Sequence, residues 1–331
     1  MSSLYIYTII FLCSFLVAFV AVKIIIRVAL ENQIGQRILE DGPVWHKKKE
    51  GTPTMGGIAF PVAIIFSFLV LMFFLNFGQS AKILPIFGVV IYALLNSIIG
   101  FIDDYIKIKN NQNKGLSASR KFALQSLAAI AFIIYLIRTE GISTIIKIPF
   151  VNLELNIGIF YYLFAYLLLC GFVNAVNLTD GLDGLASSAM LPVALLFSIV
   201  GLFIFEDLSF SFIGASVLGL LVAFLLFNHH PAKIFMGDTG SLFLGGILAG
   251  LSLCIDNVLL VFLFGFVYLF EATSVIIQVV YFKITRGKRI FKMAPFHHHL
   301  EKCGWSEKKI VITFVAVNSL ACIVALLGMV V

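Results

Sequence analysis

The acids of this sequence that are best placed for chemistry stand where apolar runs end. Asp103 and Asp104 close one such run, and Asp238 precedes another. Mg²⁺ usually takes one or two carboxylates together with substrate phosphate oxygens. If a helix continues through Asp103 and Asp104, their side chains point about 100° apart, so one could hold a metal while the other faces a second ligand. We therefore predict a metal site at Asp238 and the Asp103–Asp104 pair.

A second polar cluster, residues 174–184, combines amides with carboxylates and contains no Lys or Arg. Its Asn177, Asp180 and Asp183 suit hydrogen bonding to a base, a ribose or another sugar. The simpler interpretation is a turn in which an Asp caps the next helix. We favour a ligand-binding loop.

Two Gly-containing loops add hydroxyl, amide, ammonium and aromatic groups. The loop that begins at Lys49 also carries Thr54, and the loop that begins at Asn228 also carries Phe235. The ring of Phe235 could stack on a planar base, and the helix start that follows would favour an anion. The alternative is that the Thr, Asp and Ser residues of these loops only cap the helices that come after them.

Three consecutive histidines lie within residues 295–301, and an isolated acid, Glu271, lies inside a long apolar run. No matching His or Cys spacing indicates zinc. Three successive His cannot all face one point on a helix, so we expect one or two of them to face phosphate. An acid inside a membrane span is costly. We therefore predict that the helix around Glu271 is bent or interrupted beside a polar cavity, and we assign Glu271 no chemical role.

The elements that position these clusters must cross a membrane. Of the 331 residues, 61% are hydrophobic and 12% are charged, whereas a soluble protein carries about 25% charged residues. The chain is too apolar for a disordered protein. It lacks a glycine period, and its five Cys are scattered rather than arranged as a disulfide framework. We predict an all-α polytopic membrane protein.

Ten apolar runs approach the roughly 20 residues that a helix needs to cross the hydrocarbon core. Basic residues lie in the loops that follow odd-numbered runs, except for Lys82, Arg138 and Lys147. Because Lys and Arg concentrate in cytoplasmic loops, this bias predicts ten transmembrane helices with both termini outside. The predicted spans are residues 4–26, 56–75, 84–102, 122–137, 158–176, 185–205, 210–227, 241–255, 258–282 and 310–331.

With this orientation, every polar cluster falls on the cytoplasmic side of a single membrane domain, residues 1–331. On the outer side, partial alternation over residues 144–156 predicts a small external β-hairpin. The predicted cytoplasmic loops are residues 27–55, 103–121, 177–184, 228–240 and 283–309.

Acids, lysines, histidines and amides gathered at the inner face are suited to phosphoryl transfer. Their location implies one substrate from the cytosol and another from the lipid phase. The sequence contains no Walker A, dinucleotide-binding or serine-hydrolase motif. We expect membrane lipid as a partner and no nucleic acid.

Five motifs together resemble those of the phospho-N-acetylmuramoyl-pentapeptide-transferase family, a branch of the polyprenyl-phosphate N-acetylhexosamine-1-phosphate transferases. The resemblance covers essentially the whole chain, and its histidine run is the most discriminating motif. It implies that UDP-N-acetylmuramoyl-pentapeptide and undecaprenyl phosphate give lipid I and UMP, with Mg²⁺, in peptidoglycan synthesis. It also implies a homodimer in the inner (plasma) membrane with its active site facing the cytoplasm. The motifs are Gly51-Thr-Pro-Thr-Met-Gly-Gly, Asp103-Asp104-Tyr-Ile-Lys107, Asn177-Leu-Thr-Asp-Gly-Leu-Asp-Gly, Phe235-Met-Gly-Asp-Thr-Gly-Ser and Pro295-Phe-His-His-His-Leu-Glu.

The resemblance further implies roles for single residues, in three groups. The acids implied in catalysis, with Asp238 the leading Mg²⁺ ligand, are Asp103, Asp104 and Asp238. The residues implied in the nucleotide site are Lys49, Thr54, Asn177, Asp180, Asp183 and Phe235. The residues implied in pyrophosphate, phosphate or catalytic contacts are Asn228, His297, His298, Lys107 and Lys121.

Two mechanisms and several functions stay open. In the first mechanism, the lipid phosphate attacks the β-phosphorus of the UDP-sugar directly, and Asp103 positions or deprotonates the lipid phosphate. In the second mechanism, an Asp first forms a covalent phospho-sugar intermediate. A phosphate monoester is mostly dianionic at pH 7, because its second pKa is about 6; a strong base is hardly needed, and we favour one step. The alternative functions are a sister transferase that uses UDP-N-acetylglucosamine, a secondary transporter and a membrane scaffold. A transporter tends to have polar sites near the middle of the bilayer, and here only Glu271 lies that deep.

Overall fold

Helices follow the apolar runs along most of the chain. The computed structural model describes residues 3–35, 49–74, 83–110, 112, 114–139, 142–151 and 153–330. Part of the predicted loop 27–55 therefore lies outside the described residues. The helices are α1 (Ser3–Glu31), α2 (Ala59–Phe74), α3 (Ile83–Lys109), α4 (Ala118–Thr139), α5 (Phe160–Thr179), α6 (Leu185–Ile199), α7 (Leu208–Asn228), α8 (Gly237–Leu253), α9 (Val261–Phe264), α10 (Phe266–Ile284), α11 (Phe296–Lys302) and α12 (Glu307–Val330).

Nine helices within the described ranges are long and apolar enough to cross a membrane. They include α2 with the 3₁₀ turn Gly56–Ile58 before it, and α6 with the π-helical turn Val200–Ile204 after it. The run predicted as the eighth span corresponds to α8, which has only 17 residues and is not among the nine. The protein is a multi-pass membrane protein, and the count of ten stays a prediction.

The predicted ninth span is interrupted, as expected from the acid it contains. A 3₁₀ turn (Val258–Leu260) leads into the single turn of α9, Gly265 breaks the helix, and α10 follows. A Cβ on Gly265 would lie 2.5 Å from the Phe172 ring of α5. The break therefore sits where the chain passes closely over a neighbouring helix.

Helix α8 is the central element of the fold. Every residue from Thr239 to Leu253 is buried, as expected for a helix that is apolar all round. Glycines let its neighbours approach, because a Cβ on Gly246 would lie 2.8 Å from Cα of Ala93 in α3, and one on Gly245 would lie 2.6 Å from Cα of Val173 in α5. Small residues at such contacts allow close helix packing in membranes. The N-terminus of α8 is thereby held between the C-terminal ends of α3 and α5.

The hairpin predicted over residues 144–156 is confirmed. Strands β1 (Ile145–Ile148) and β2 (Leu153–Asn156) pair in antiparallel register, with Ile145 opposite Asn156. Lys147 and Glu154 face each other across the pair, 3.5 Å apart. Its position on the outer side stays a prediction.

Candidate active site

Three carboxylates meet where the last turns of α3 reach the first turn of α8. Asp103 and Asp104 are 3% and 5% exposed. They and Asp238 each offer an oxygen within 4.8 Å of the other two, an arrangement that could hold a metal ion. Helix α3 does continue through both acids. Both carboxylates reach the same group, hereafter the carboxylate cluster, and that one of the pair faces a second ligand stays a prediction.

Asp104 holds the N-terminus of α8. Its Oδ1 accepts the backbone N–H of Asp238 at 3.2 Å. Its Oδ2 accepts the backbone N–H of Thr239 at 2.9 Å and the Thr239 hydroxyl at 2.7 Å. The first N–H groups of a helix lack acceptors within the helix, and here a carboxylate from α3 is their acceptor. Capping of α8 by its own Asp238, Thr239 or Ser241 is therefore wrong; the residue at the cap position is Met236, without a side-chain hydrogen bond.

Two lysines balance the negative charge of the carboxylate cluster. Lys107 Nζ lies 2.6 Å from Asp103, 3.0 Å from Asp238 and 3.6 Å from Asp104. Lys121, in the first turn of α4, lies 2.7 Å from the same Oδ2 of Asp238. Both lysines that were implied in phosphate binding are thus brought to the carboxylates.

Asn177 connects α5 to the same place. Its Nδ2 donates to Oδ1 of Asp238 at 2.9 Å and to Oγ of Ser241 at 2.8 Å. On the other side of the cluster, Asp103 Oδ1 accepts the backbone N–H of Leu116 at 2.8 Å. Each of the three carboxylates is therefore oriented by at least one N–H donor.

Asp180 stands just beyond α5 and is half-buried. Within the described residues its carboxylate has no hydrogen-bond partner or ion pair. Partial burial, followed by the neighbouring carboxylates of Asp238, Asp104 and Asp183, raises the pKa of Asp180 well above its ordinary value. A bound cation or hydrogen-bond donor would relieve this penalty, so Asp180 is suited to a ligand.

A second charged group, hereafter the Lys49 network, lies at the other end of residues 177–184. Lys49 Nζ lies 2.7 Å from Asp183 Oδ1 and 2.7 Å from Glu307 Oε2. His230 Nδ1 lies 3.0 Å from Asp183 and 3.5 Å from Glu307. Asp183 does not cap α6, because Gly184 occupies the cap position with a left-handed backbone.

Glu307 and His230 were not predicted as site residues. Glu307 begins α12, and the available signal was an acid within the otherwise basic stretch before that helix. Asp183, His230 and Glu307 could also hold a metal ion by spacing. The carboxylate cluster is the better site for a hard cation, because it offers three carboxylates, whereas this second group offers two carboxylates and an imidazole.

The loop that contains Thr54 pairs with the loop that contains Phe235. The backbone N–H of Phe235 donates to the carbonyl of Pro53 at 2.8 Å, and the N–H of Gly56 donates to the carbonyl of Phe235 at 2.9 Å. Thr54 and Phe235 are half-buried. The expected Thr cap is wrong, because Met55 occupies the cap position of the 3₁₀ turn, without a side-chain bond.

Asn228 braces its own loop. Its Nδ2 donates to the carbonyl of Ile234 at 2.9 Å, and its Oδ1 accepts from Ser187 at 3.1 Å. Both ends of this buried amide are engaged within the protein. The structure thus places Asn228 behind the loop that presents Phe235.

The histidine run forms the first turn of α11. His297 is fully buried, and its Nδ1 lies 3.0 Å from Glu271 Oε2. His298 Nδ1 lies 2.6 Å from Glu301 Oε2, one turn along the same helix. A Cβ on Gly181 would overlap Nε2 of His297, which places the ring against the segment that also carries Asp180.

The residues fit a hard cation. The carboxylate cluster offers oxygen ligands from two helices and no sulfur or imidazole, the donor set that Mg²⁺ prefers. Lys107 and Lys121 balance the negative charge of this cluster. A cation could replace their ammonium groups at the carboxylates, and the ammonium groups could then bind a phosphate. The arrangement can therefore bind a metal ion and a phosphorylated ligand next to each other.

Comparison with known proteins agrees with this geometry. Residues 86–256, which include the carboxylate cluster, match glycosyl transferase family 4, and residues 49–60 match phospho-N-acetylmuramoyl-pentapeptide-transferase signature 1. Proteins named phospho-N-acetylmuramoyl-pentapeptide-transferase are similar over nearly the full length. One from Listeria monocytogenes serotype 4b is 40% identical over 98% of each chain. One from Staphylococcus saprophyticus is 42% identical over 94% of this chain and 95% of its own. One from Clostridium botulinum is 44% identical over 90% of this chain and 88% of its own.

Proposed function

The chain belongs to the phospho-N-acetylmuramoyl-pentapeptide-transferase family, and from that premise we propose the reaction it catalyses. It transfers phospho-N-acetylmuramoyl-pentapeptide from the UDP-linked precursor to undecaprenyl phosphate, giving lipid I and UMP. The step belongs to peptidoglycan synthesis and so serves cell shape and cell division. The observation that carries this proposal is the meeting of three carboxylates and two lysines at the ends of α3, α4 and α8.

We propose that Mg²⁺ binds at Asp238, Asp103 and Asp104. When bound, the ion neutralises negative charge on the diphosphate. Lys107 and Lys121, which contact Asp238, then bind phosphate oxygens. The lysines thus change partner from carboxylate to phosphate as substrate arrives.

The UDP part of the substrate binds along residues 177–184 and the two paired loops. Phe235 stacks on the uracil, while Asp180 and Asp183 accept hydrogen bonds from the nucleotide. Asn228 keeps the Phe235 loop in place, since its amide is engaged there. The other residues of this binding surface are Lys49, Thr54, Asn177 and, toward the pyrophosphate, His297 and His298.

We propose that transfer takes one step. An oxygen of the lipid phosphate forms a bond to the β-phosphorus, and the bond from that phosphorus to the UMP oxygen breaks. Both oxygens of Asp103 are engaged, one by Lys107 and one by the backbone of Leu116. This argues for a positioning role and against a covalent phospho-sugar on Asp103. A dianionic phosphate attacks without giving up a proton, so alignment and charge neutralisation supply the catalysis.

The proposed setting is the inner membrane. We propose ten spans with both termini outside, which the charge bias supports, and a homodimer, which the family resemblance supports. The site then faces the cytoplasm within one membrane domain. In support, the polar residues of the carboxylate cluster and of the Lys49 network come from loops or helix ends predicted to be cytoplasmic.

UMP release by the purified protein in detergent tests the function. Mg²⁺ and undecaprenyl phosphate are supplied with either UDP-N-acetylmuramoyl-pentapeptide or UDP-N-acetylglucosamine. We expect lipid-dependent release from the pentapeptide substrate alone, and none after chelation of Mg²⁺. Release from the acetylglucosamine substrate alone would assign the chain to the sister reaction. No release from either, in folded protein, would contradict a transferase and favour a transporter.

A further inference from the structure

Glu271 and His297 form a fully buried pair. Glu271 lies within α10, His297 lies in the first turn of α11, and both are 0% exposed. An acid at such a position is expensive unless it is paired. One carboxylate makes two contacts here: Oε1 accepts the backbone N–H of His297 at 3.1 Å, and Oε2 lies 3.0 Å from the ring Nδ1. Glu271 therefore fixes both the start of α11 and the plane of the ring.

This pairing decides which ring nitrogen carries the proton. An ionised carboxylate can only accept hydrogen bonds, so Nδ1 must be protonated. Nε2 is then the ring atom left for another partner. It is buried and has no hydrogen-bond partner among the described residues.

Nε2 is directed at the substrate-binding segment. It faces Gly181, between Asp180 and Asp183, and a side chain at position 181 would overlap it. A buried polar atom without a partner costs free energy, and such atoms are retained where a ligand completes the bond. The missing side chain of Gly181 leaves the ring next to the place where the diphosphate is proposed to bind.

We infer that Glu271 is a positioning residue for the transfer reaction and acts through His297. This inference rests on the proposed function. By holding the proton on Nδ1, Glu271 leaves Nε2 as the ring nitrogen that faces the substrate diphosphate. When Nε2 takes a proton from a water molecule that enters with the substrate and returns hydroxide to solvent, or from a protonated phosphate oxygen, Nε2–H donates to a phosphate oxygen. The Glu271 carboxylate balances the charge of that ring, and charge-assisted bonds of this kind are stronger than neutral ones.

Glu271→Gln is the variant that separates this role from packing. In this variant the side-chain amide oxygen at position 271 accepts the backbone N–H of His297. The amide nitrogen takes the place of Oε2 and donates to Nδ1. The fold keeps its hydrogen bonds, but the proton leaves Nδ1 and the negative charge is gone. The matched control is Ser274→Ala, which removes another buried polar group from α10; the Ser274 hydroxyl donates to the Glu271 carbonyl at 2.6 Å.

The experiment measures UMP release and the ring nitrogens of the same variants. We expect Glu271→Gln to lower kcat by about 10- to 100-fold, in the range found for partners that orient active groups, with a smaller change in KM for the UDP-sugar. In ¹⁵N-histidine-labelled protein, with the His297 signals assigned by their loss in His297→Gln, the proton should lie on Nδ1 in the wild type and leave it in Glu271→Gln. Ser274→Ala should match the wild type in both.

Three results would overturn the inference. They are an unchanged kcat in Glu271→Gln, a protonated Nδ1 in both proteins, or an equal loss in Ser274→Ala. An inactive wild-type protein would instead contradict the proposed function, so the two failures are distinguishable.

Discussion

At the residue scale, side chains from three helices converge on Asp238. Its carboxylate receives Lys107, Lys121 and the amide of Asn177. It also joins two other acids within 4.8 Å. A side chain so placed can exchange an ammonium partner for a metal ion without moving far.

Asp238→Asn should therefore abolish most activity. The amide keeps the shape but removes the charge, and we expect kcat to fall by at least about 100-fold, as for loss of a preorganised electrostatic group. Raised Mg²⁺ should restore little of it, which UMP release measured against Mg²⁺ concentration will show. Asp256→Asn makes the same charge change at an exposed position beyond the other end of α8 and should stay active. Full recovery of Asp238→Asn at high Mg²⁺ would contradict the metal-binding role.

Phe235→Ala should weaken binding of the UDP-sugar. Stacking on a base contributes about 1–3 kcal/mol, which corresponds to roughly 5- to 150-fold in the dissociation constant. Titration calorimetry with UDP-N-acetylmuramoyl-pentapeptide measures it, and Phe235→Tyr should retain most of the affinity. Equal affinity of the Ala variant and the wild type would remove the stacking role.

Asp180→Asn should stabilise the ligand-free protein. Burial and neighbouring acids raise the pKa of Asp180 in the folded protein. Above this raised pKa the carboxylate is ionised in the folded protein, which lowers its stability. Below the ordinary pKa, Asp180 is protonated in both the folded and the unfolded state, so the loss of stability vanishes. The variant should melt at a higher temperature than wild type at mildly alkaline pH, and the gain should shrink as the pH falls. Asp256→Asn serves as the control. A lower melting temperature at alkaline pH would show that Asp180 is ionised without penalty.

At the element scale, the site depends on how closely α3 approaches α8. Gly100 makes this contact, because a Cβ there would overlap the backbone at Asp238. The contact also aligns Asp104 with the N–H groups that it accepts from α8. The spacing of two helices thus sets the spacing of the carboxylates.

Gly100→Ala should lower both melting temperature and UMP release, since the added methyl pushes α3 away from the start of α8. Gly171→Ala is the matched control. Gly171 is also inside a helix, but among the described residues no atom of another element lies within 4 Å of a Cβ there, so alanine should be neutral or stabilising by up to about 1 kcal/mol. Two variants that behave alike would show that close packing at Gly100 does not control the site.

Element ends were less predictable than element existence. Hydrophobic runs predicted the helices, partial alternation predicted the hairpin, and the acid Glu271 predicted the interruption before α10, because each of these signals is local in the sequence. The predicted cap of α8 was wrong, because the hydrogen-bond acceptor for its first N–H groups is Asp104 of α3, and not a side chain of Asp238 or Thr239. A partner that is distant in sequence leaves no spacing to detect.

At the scale of the whole molecule, residues far apart in the chain close the site. Lys49 contacts Asp183 and Glu307, so the start, middle and end of the chain meet at one point. Motif residues such as Asp103 and Asp183 were predictable from their types and surroundings. The contacts of Glu307 with Lys49 and of Glu271 with His297 were not predictable, because they exist only after folding brings distant segments together.

The predicted orientation can be measured across the membrane. In a variant with all five native Cys replaced, Glu154→Cys in the hairpin should react with an impermeant maleimide on intact cells. Lys288→Cys, after α10, should react only once the membrane is opened; both residues are exposed in the structure. The reverse pattern would invert the topology and place the site outside.

Asp104 has a consequence for how this chain can evolve. The same carboxylate accepts the first N–H groups of the buried helix α8 and stands in the proposed reaction centre, so selection for folding and selection for turnover would act on one side chain. A change there is expected to lower the amount of folded protein and its rate together. Lineages that alter this position would have to rebuild the start of α8 at the same time.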